Sequence, residues 1–462
     1  MLTASARTDQ SDSLQETFLR LPAKPNRQLD HLPGDYGLPV FGHTWGLLTN
    51  GPRLTAAMVA RYGPVFRSSA LFQRSVALVG PDAAQFVLLD PDRNFAARPA
   101  WDTILGGLFD NGLLLRDLDD HRAHRRVLQQ AFKKPVLDSY CQTLNRFLGE
   151  GITAWPSGRH FDFYPAVKQL LLDNAIESFF GADPARDVAP LNRAFIDMLD
   201  ATLALVRRPL PGTRWRRGVH GRRALECYLA SQLDARKANP GNDFFSTLCT
   251  AANDESGGLS DSEIIDHLMF LLFAAHDTTS STLSSMIRIL CQYPQWQERL
   301  REEFSTLDAA ALQTEHFGAL PQTDWFFRET LRMHPPVPAI IRRTARACEW
   351  SGYTLPANTA VFLPIRFNHR MEQFWSSPGQ FDPERWSPGR EEYKGHSFQW
   401  LPFGGGAHKC LGLHFAEMQT KIFLYHLLRN YRIAGDQKHR PRIRYVPLEI
   451  PGNGLPVLLS PR

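Results

Sequence analysis

A chain of 462 residues, 43% hydrophobic and 21% charged, holds enough apolar mass for a large core, which excludes a disordered or collagen-like protein. Its net charge of +5 is a mild basic excess, too small to argue for nucleic acid, although local basic patches would attract an acidic protein. The six cysteines lie far apart with no CxxC pair, so they read as free thiols of a reducing compartment, the cytoplasm, and not as a disulfide framework.

In chain order, residues 1–30 are polar and are expected to form a flexible N-terminal segment without the apolar stretch of a signal peptide. Residues 31–462 are expected to form one domain. Its folded part starts at Leu32-Pro33-Gly34 and Leu38-Pro39-Val40-Phe41-Gly42. Alternation from Pro64 to Val79 predicts a β-hairpin. A small β-rich part is expected at about 36–100 plus 340–365, where Thr344 to Phe362 carries turn residues. From about 115 to 335 the pattern is helical with Pro/Gly-rich breaks. The fold class is therefore mainly α with a small β-rich region. The longest clearly apolar run, Leu268 to Ala275, is too short to cross a bilayer, so no transmembrane segment is expected.

One helix can be bounded closely. Ser260 and Glu263 form a capping box, and Tyr293-Pro294 stops the pattern. That leaves roughly 30 residues, about 45 Å of helix. Its centre, Leu268 to Ala275, is apolar all round and belongs in the core. Seven polar residues follow, His276 to Thr282. Buried polar groups cost a few kcal/mol each when unpaired, so this segment needs partners, a cavity or a chemical task. The bland reading is that the helix surfaces there.

The stretch Phe403-Gly404-Gly405-Gly406-Ala407-His408-Lys409-Cys410-Leu411-Gly412 permits a tight, close-approaching loop. After it, Leu411, Phe415, Met418, Ile422 and Tyr425 recur at a helical period. Cys410 thus sits near a helix N-terminus, which favours a thiolate. A lone cysteine is usually only a small buried hydrophobe. This decamer, however, resembles the haem-binding loop of the cytochrome P-450 monooxygenases, Phe-x-x-Gly-x-Arg-x-Cys-x-Gly, matched at Phe403, Gly406, Cys410 and Gly412. The resemblance runs from about Leu32 to the end. It implies a long central helix over a buried haem b (iron protoporphyrin IX), with Cys410 as the metal ligand and Phe403, Gly404, His408 and Gly412 around the cofactor. A thiolate ligand pushes electron density that helps cleave the O–O bond.

Other segments extend the resemblance. Glu329-Thr330-Leu331-Arg332 matches Glu-x-x-Arg, a spacing that pairs acid and base on one helix face. Alone such a pair is usually a solvated contact. With Phe381-Asp382-Pro383-Glu384-Arg385-Trp386, it resembles the family's structural network of Glu329, Arg332 and Arg385 behind the haem. Ala274-Ala275-His276-Asp277-Thr278-Thr279 resembles the oxygen-activation motif. A hydroxyl can hold the oxygen while a carboxylate relays protons, so the resemblance makes Thr278 and Asp277 catalytic. A helical threonine often bonds back four residues, here to Ala274, which opens a groove. Ala275 departs from the family's usual Gly; alanine favours a regular helix by about 1 kcal/mol and takes space near the iron. His121-Arg122-Ala123-His124-Arg125 is similar to the family's Trp/His-x-x-x-Arg, which assigns His121 and Arg125 to the haem propionates. Arg342 aligns with a third partner, and Arg343 competes by register. His408 stands where most members carry Arg and, like any histidine, titrates near neutrality. For each basic residue the alternative is a solvent-facing charge.

Arg122, Arg125, Arg126, Lys133, Lys134 and Lys409 are expected to cluster on the thiolate side, suiting a ferredoxin or flavodoxin type electron donor with its reductase. A second basic run, Arg207-Arg208 to Arg222-Arg223, falls by resemblance near the substrate entrance. Such a run is most often a solvated loop; the alternatives are anionic lipid, a peripheral membrane contact, or a carboxylated substrate. The resemblance places Leu271, Ala274, Val337, Ala339 and Ile340, with parts of Trp101 to Leu114, in an apolar pocket. The function implied is insertion of one oxygen atom of O2 into a lipophilic terpenoid, sterol, retinoid or fatty acid. The chain looks more like the sterol and retinoid hydroxylases than the camphor hydroxylase type. The rivals are a peroxide-driven hydroxylase, an isomerase on the same fold, and a non-catalytic haem sensor.

Overall fold

The structure is a computed structural model that describes residues 21, 24–182, 187–241, 243–251, 258–436, 438–439 and 441–462. Most of the segment expected to be flexible, 1–30, lies outside the described residues. Helices dominate. α1 (Thr44–Tyr62), α2 (Pro81–Leu89), α3 (Arg98–Leu105), α4 (Leu118–Leu128) and α5 (Lys134–Thr153) are followed by α6 (Phe163–Phe180), α7 (Val188–Thr202), α8 (Arg214–Ala238) and α9 (Phe244–Ala251). Then come α10 (Asp261–Gln292), α11 (Pro294–Ser305), α12 (Pro321–Met333), α13 (Ile365–Asn368) and α14 (Leu413–Asn430).

The hairpin read from Pro64 to Val79 forms as β1 (Val65–Ala70) and β2 (Gln73–Leu78), paired antiparallel from Val65↔Leu78 to Ala70↔Gln73. With β3 (Phe95–Ala96), β5 (Ile340–Thr344) and β8 (Ala360–Leu363) it makes a sheet of order β1-β2-β8-β5-β3. The stretch 36–100 therefore contributes strands, but also α1, α2 and α3. A second sheet joins β4 (His160–Asp162), β12 (Pro456–Pro461) and β9 (Tyr431–Gly435). β6 (Cys348–Trp350) pairs with β7 (Tyr353–Leu355), and β10 (Ile443–Arg444) with β11 (Ile450–Pro451). Val76, Leu78, Val87 and Leu363 form a core beneath the first sheet, and a larger core fills the helical part. Among the described residues no helix is long and apolar enough to cross a membrane.

α10 carries both signals expected of it: Ser260 and Glu263 complete the capping box, and the helix ends at Gln292, before Pro294. Its polar run does not surface. Thr278 Oγ1 donates to Ala274 O at 2.8 Å, Ser280 Oγ to His276 O at 2.8 Å, and Thr282 Oγ1 to Thr278 O at 3.0 Å. His276 Nε2 lies 3.0 Å from Lys168 O of α6. Back-bonding thus lets a serine- and threonine-rich turn pass through a core.

Glu329, Arg332 and Arg385 meet with side chains that are 0% exposed. Both Glu329 oxygens accept from Arg332, Nε at 2.8 Å and Nη2 at 2.8 Å. Arg385 Nε donates to Oε1 at 3.0 Å and Trp386 Nε1 to Oε2 at 3.1 Å. The remaining Arg332 donors reach the carbonyls of His369, Pro378 and Gln380, which ties α12 to the segment before Cys410. Removing one partner leaves a buried uncompensated charge. Glu329→Ala or Arg332→Ala is therefore expected to cost about 3–5 kcal/mol in denaturant unfolding. Wild-type stability in either variant would show that the network is dispensable.

Candidate active site

Backbone bonds shape the cysteine loop: Cys410 N donates to Phe403 O at 2.9 Å and Lys409 N to Gly406 O at 3.2 Å. Gly406 has φ +63°, and a Cβ there would stand 1.7 Å from Leu88 O at the end of α2. Only glycine lets the loop lie on that carbonyl. Gly412 is the N-cap of α14, so Cys410 precedes the helix by two residues more than its N-cap position. The sulfur-bearing residue lines a cavity of about 920 Å³. Burial pushes the Cys410 thiol up, against the pull of the Gly412 N–H, Arg125 and Lys409.

Beside Cys410 the same cavity is lined by His121, Arg125, Arg342 and His408. His121 and His408 stack with ring centroids 3.9 Å apart. His121 Nε2 is buried without a hydrogen-bond partner among the described residues. Burial and the positive neighbours His408, Arg125 and Arg342 hold His121 down at about 2. Burial also lowers His408, against the pull of Asp117, whose Oδ1 lies 3.5 Å from its Nε2. Asp117 also accepts from the backbone N–H of Ala97 and Arg98. This end of the cavity thus gathers more buried cationic capacity than carboxylate. A porphyrin with two propionates fits that excess and the orphaned His121 nitrogen. Register separates the two candidate arginines: Arg342 faces the cavity, while Arg343 lies outside its lining and donates to Asn358 Oδ1 at 3.3 Å. Arg125 turns inward and does not belong to the surface basic cluster. Arg122, Arg126, Lys133, Lys134 and Lys409 remain exposed.

Ala274, Ala275, Asp277 and Thr278 of α10 line the same cavity. Asp277 Oδ1 lies 2.9 Å from Lys168 Nζ and 3.1 Å from His276 Nδ1. Burial opposes ionisation of Asp277, but His276 and Lys168 outweigh it and hold the carboxyl at about 2. Lys168 was invisible to motif reading because it comes from α6, and nothing local in the sequence pairs it with Asp277. Leu271, Val337, Ala339 and Ile340 line the apolar part with Trp101, Ile104, Leu105, Leu113 and Leu114. The second basic run is mostly helical: it enters α8, where Arg222 donates to Asp266 Oδ1 at 2.8 Å and pairs with Glu226 at 2.7 Å. Arg214, Arg216 and Arg217 stay exposed.

A mainly helical fold, a cysteine on the wall of an apolar cavity and a polar turn of a buried helix on the same cavity define a haem-dependent oxidoreductase. The chain belongs to the cytochrome P450 family, whose model matches residues 32–451. It is a monooxygenase with a haem cofactor. A putative cytochrome P450 136 of Mycobacterium tuberculosis is 35% identical over 444 residues, 95% of this chain and 90% of the relative. Abscisic acid 8'-hydroxylase 2 of Arabidopsis thaliana is 27% identical, over 97% of this chain and 91% of its own length. The solved structure of a retinoic acid-bound cyanobacterial CYP120A1 superposes with a TM-score of 0.84 at 28% identity, covering 93% of this chain and 99% of that one.

Gly406→Ala places a methyl against the Leu88 carbonyl and is expected to cost about 1–3 kcal/mol of stability, with reduced haem content per protein. Thermal unfolding and haem absorbance measure both. Wild-type values would show that α2 yields to the loop freely.

Proposed function

We propose that the enzyme inserts one oxygen atom of O2 into a lipophilic terpenoid, sterol, retinoid or fatty acid, with electrons from a separate ferredoxin or flavodoxin type donor. The observation that carries the reading is that Cys410 and the Ala274–Thr278 turn line one largely apolar cavity. In this reading Cys410 ligates the iron, while Phe403, Gly404 and Gly412 shape its loop. His121, Arg125, Arg342 and His408 hold the propionates. When bound, the haem would supply dioxygen activation, which a thiolate ligand favours.

The protein's own part is to orient substrate and move protons. Thr278 Oγ1 donates to Ala274 O in this structure, so it must rotate away from that carbonyl to donate into the cavity. Asp277 is ionised at neutral pH and can return a proton received from solvent through Lys168, whose side chain is 31% exposed. Leu271, Val337, Ala339 and Ile340 exclude water and hold an apolar skeleton. The relatives named for retinoic acid and abscisic acid support an oxygenated isoprenoid substrate.

Exposed Arg122, Arg126, Lys133, Lys134 and Lys409 support docking of an acidic donor near Cys410. Exposed Phe41, Trp45, Phe72, Leu205 and Leu210, with Arg208, Arg214 and Arg216, support a peripheral contact with anionic lipid.

The test is turnover with reduced ferredoxin and oxygen, compared with peroxide alone. Thr278→Ala is expected to keep haem and substrate binding while product per NADPH falls and hydrogen peroxide rises. Asp277→Asn is expected to slow the whole oxygen cycle, by about 10²-fold. Unchanged coupling in Thr278→Ala, or faster turnover with peroxide alone, would contradict the proton-delivery assignment.

A further inference from the structure

A chain of buried polar side chains joins α4 to α10 away from Cys410. Arg116 Nη1 lies 2.7 Å from His124 Nε2, and His124 Nδ1 lies 2.9 Å from His267 Nε2. The other Arg116 contacts are Asn111 O at 2.8 Å and two carboxylates, Asp120 at 2.7 Å and Glu263 at 3.4 Å, each of which also lies 3.3 Å from His124 Nε2. The direction of this chain follows from chemistry. A guanidinium can only donate, so its 2.7 Å contact makes His124 Nε2 an acceptor in preference to a donor to the carboxylates 3.3 Å away, and the His124 proton is assigned to Nδ1. That Nδ1–H donates to His267 Nε2, which leaves the His267 proton on Nδ1. His267 is 2% exposed, and its Nδ1 is buried with no partner among the described residues. Burial, then the neighbouring His124 and Arg116, hold His267 at about 3, so it stays a neutral donor.

A buried donor without an acceptor costs about 1–3 kcal/mol and calls for an explanation. Among the described residues nothing accepts from Nδ1, whereas the ring borders the cavity. A turn of the ring would bring Nδ1 to an acceptor held in the cavity. His267, Leu271, Ala274 and Thr278 follow the i, i+4, i+7, i+11 spacing of one helix face. Along the helix axis His267 is about 10 Å from Ala274 and about 16 Å from Thr278.

We propose that His267 is the polar recognition point of the substrate cavity, donating its Nδ1–H to a hydroxyl, carbonyl or carboxyl oxygen of the lipophilic substrate. The proposal rests on the monooxygenase reading above and names a feature of its substrate. The oxygen lies at one end of the molecule, and the carbon to be oxidised lies about 10–16 Å away, beside Ala274 and Thr278. Arg116 and His124 are positioning residues that fix the imidazole tautomer.

The experiment uses the haem-loaded full chain and reads ligand binding from the haem spin state. The probes are matched pairs differing by one hydroxyl: retinol with axerophthene, 1-dodecanol with dodecane, and cholesterol with cholest-5-ene. The alcohol-to-hydrocarbon affinity ratio is expected to fall about tenfold in His267→Phe for at least one pair, the loss of one buried hydrogen bond. His267→Asn, whose amide can place an N–H near the same point, is expected to restore most of it. A change below fivefold for every pair overturns the proposal. So does loss of haem affinity with the ratio intact, since the donor would then serve a propionate. A normal thiolate spectrum in the wild type keeps either failure separate from failure of the monooxygenase reading. If His267→Phe does not hold haem, the wild-type complex with a bound alcohol decides: its oxygen is expected within about 3.2 Å of Nδ1, and an oxygen elsewhere overturns the proposal.

Discussion

Ionised groups survive inside an apolar protein only where opposite charge or hydrogen bonds meet them. That constraint sorts the interior of this chain. Around Glu329 the account closes: two arginines, a tryptophan N–H and the backbone N–H of Asp382 satisfy a fully buried carboxylate, and the cluster holds the segment leading to Cys410. Beside Cys410 it does not close, because His121, Arg125, Arg342 and His408 crowd one end of a cavity with Asp117 as the neighbouring carboxylate. A saturated cluster is scaffold, and an unsaturated one is where an anionic group belongs.

The same reasoning explains α10. Its polar residues enter the core because Thr278, Ser280 and Thr282 are bonded back along the helix, Ser281 donates to Glu449 O, and Asp277 is held by Lys168 and His276. Ala275 fits a regular helix, and the Thr278 hydroxyl bonds to the carbonyl just before it. In the proposed reading, a groove for oxygen would therefore depend on rotation of Thr278, not on a helix already broken by glycine.

Much of the site was legible because its determinants are local. The capping box and proline bounded α10 to within a residue or two, alternation marked the β1–β2 hairpin, and the glycine loop singled out Cys410. Spacing paired Glu329 with Arg332, although only the fold makes that pair buried. What escaped the sequence is what long-range packing decides. Lys168 O reaches His276 across 108 positions, and His124 meets His267 across 143. Arg125 was read both as a propionate partner and as part of a surface patch, and α4 decides for the inward position; Arg342 parted from Arg343 only through the register of β5. Burial likewise shifts His408 and Cys410 away from the behaviour their types suggest.

The central claim is that the Cys410 thiolate ligates the haem iron. The most direct measurement is the absorption spectrum of the reduced protein with carbon monoxide, wild type against Cys410→Ala. The account predicts the red-shifted Soret band of thiolate-ligated haem in the wild type and its loss in the variant. A variant that keeps that band, or a wild type that never shows it, would contradict the account.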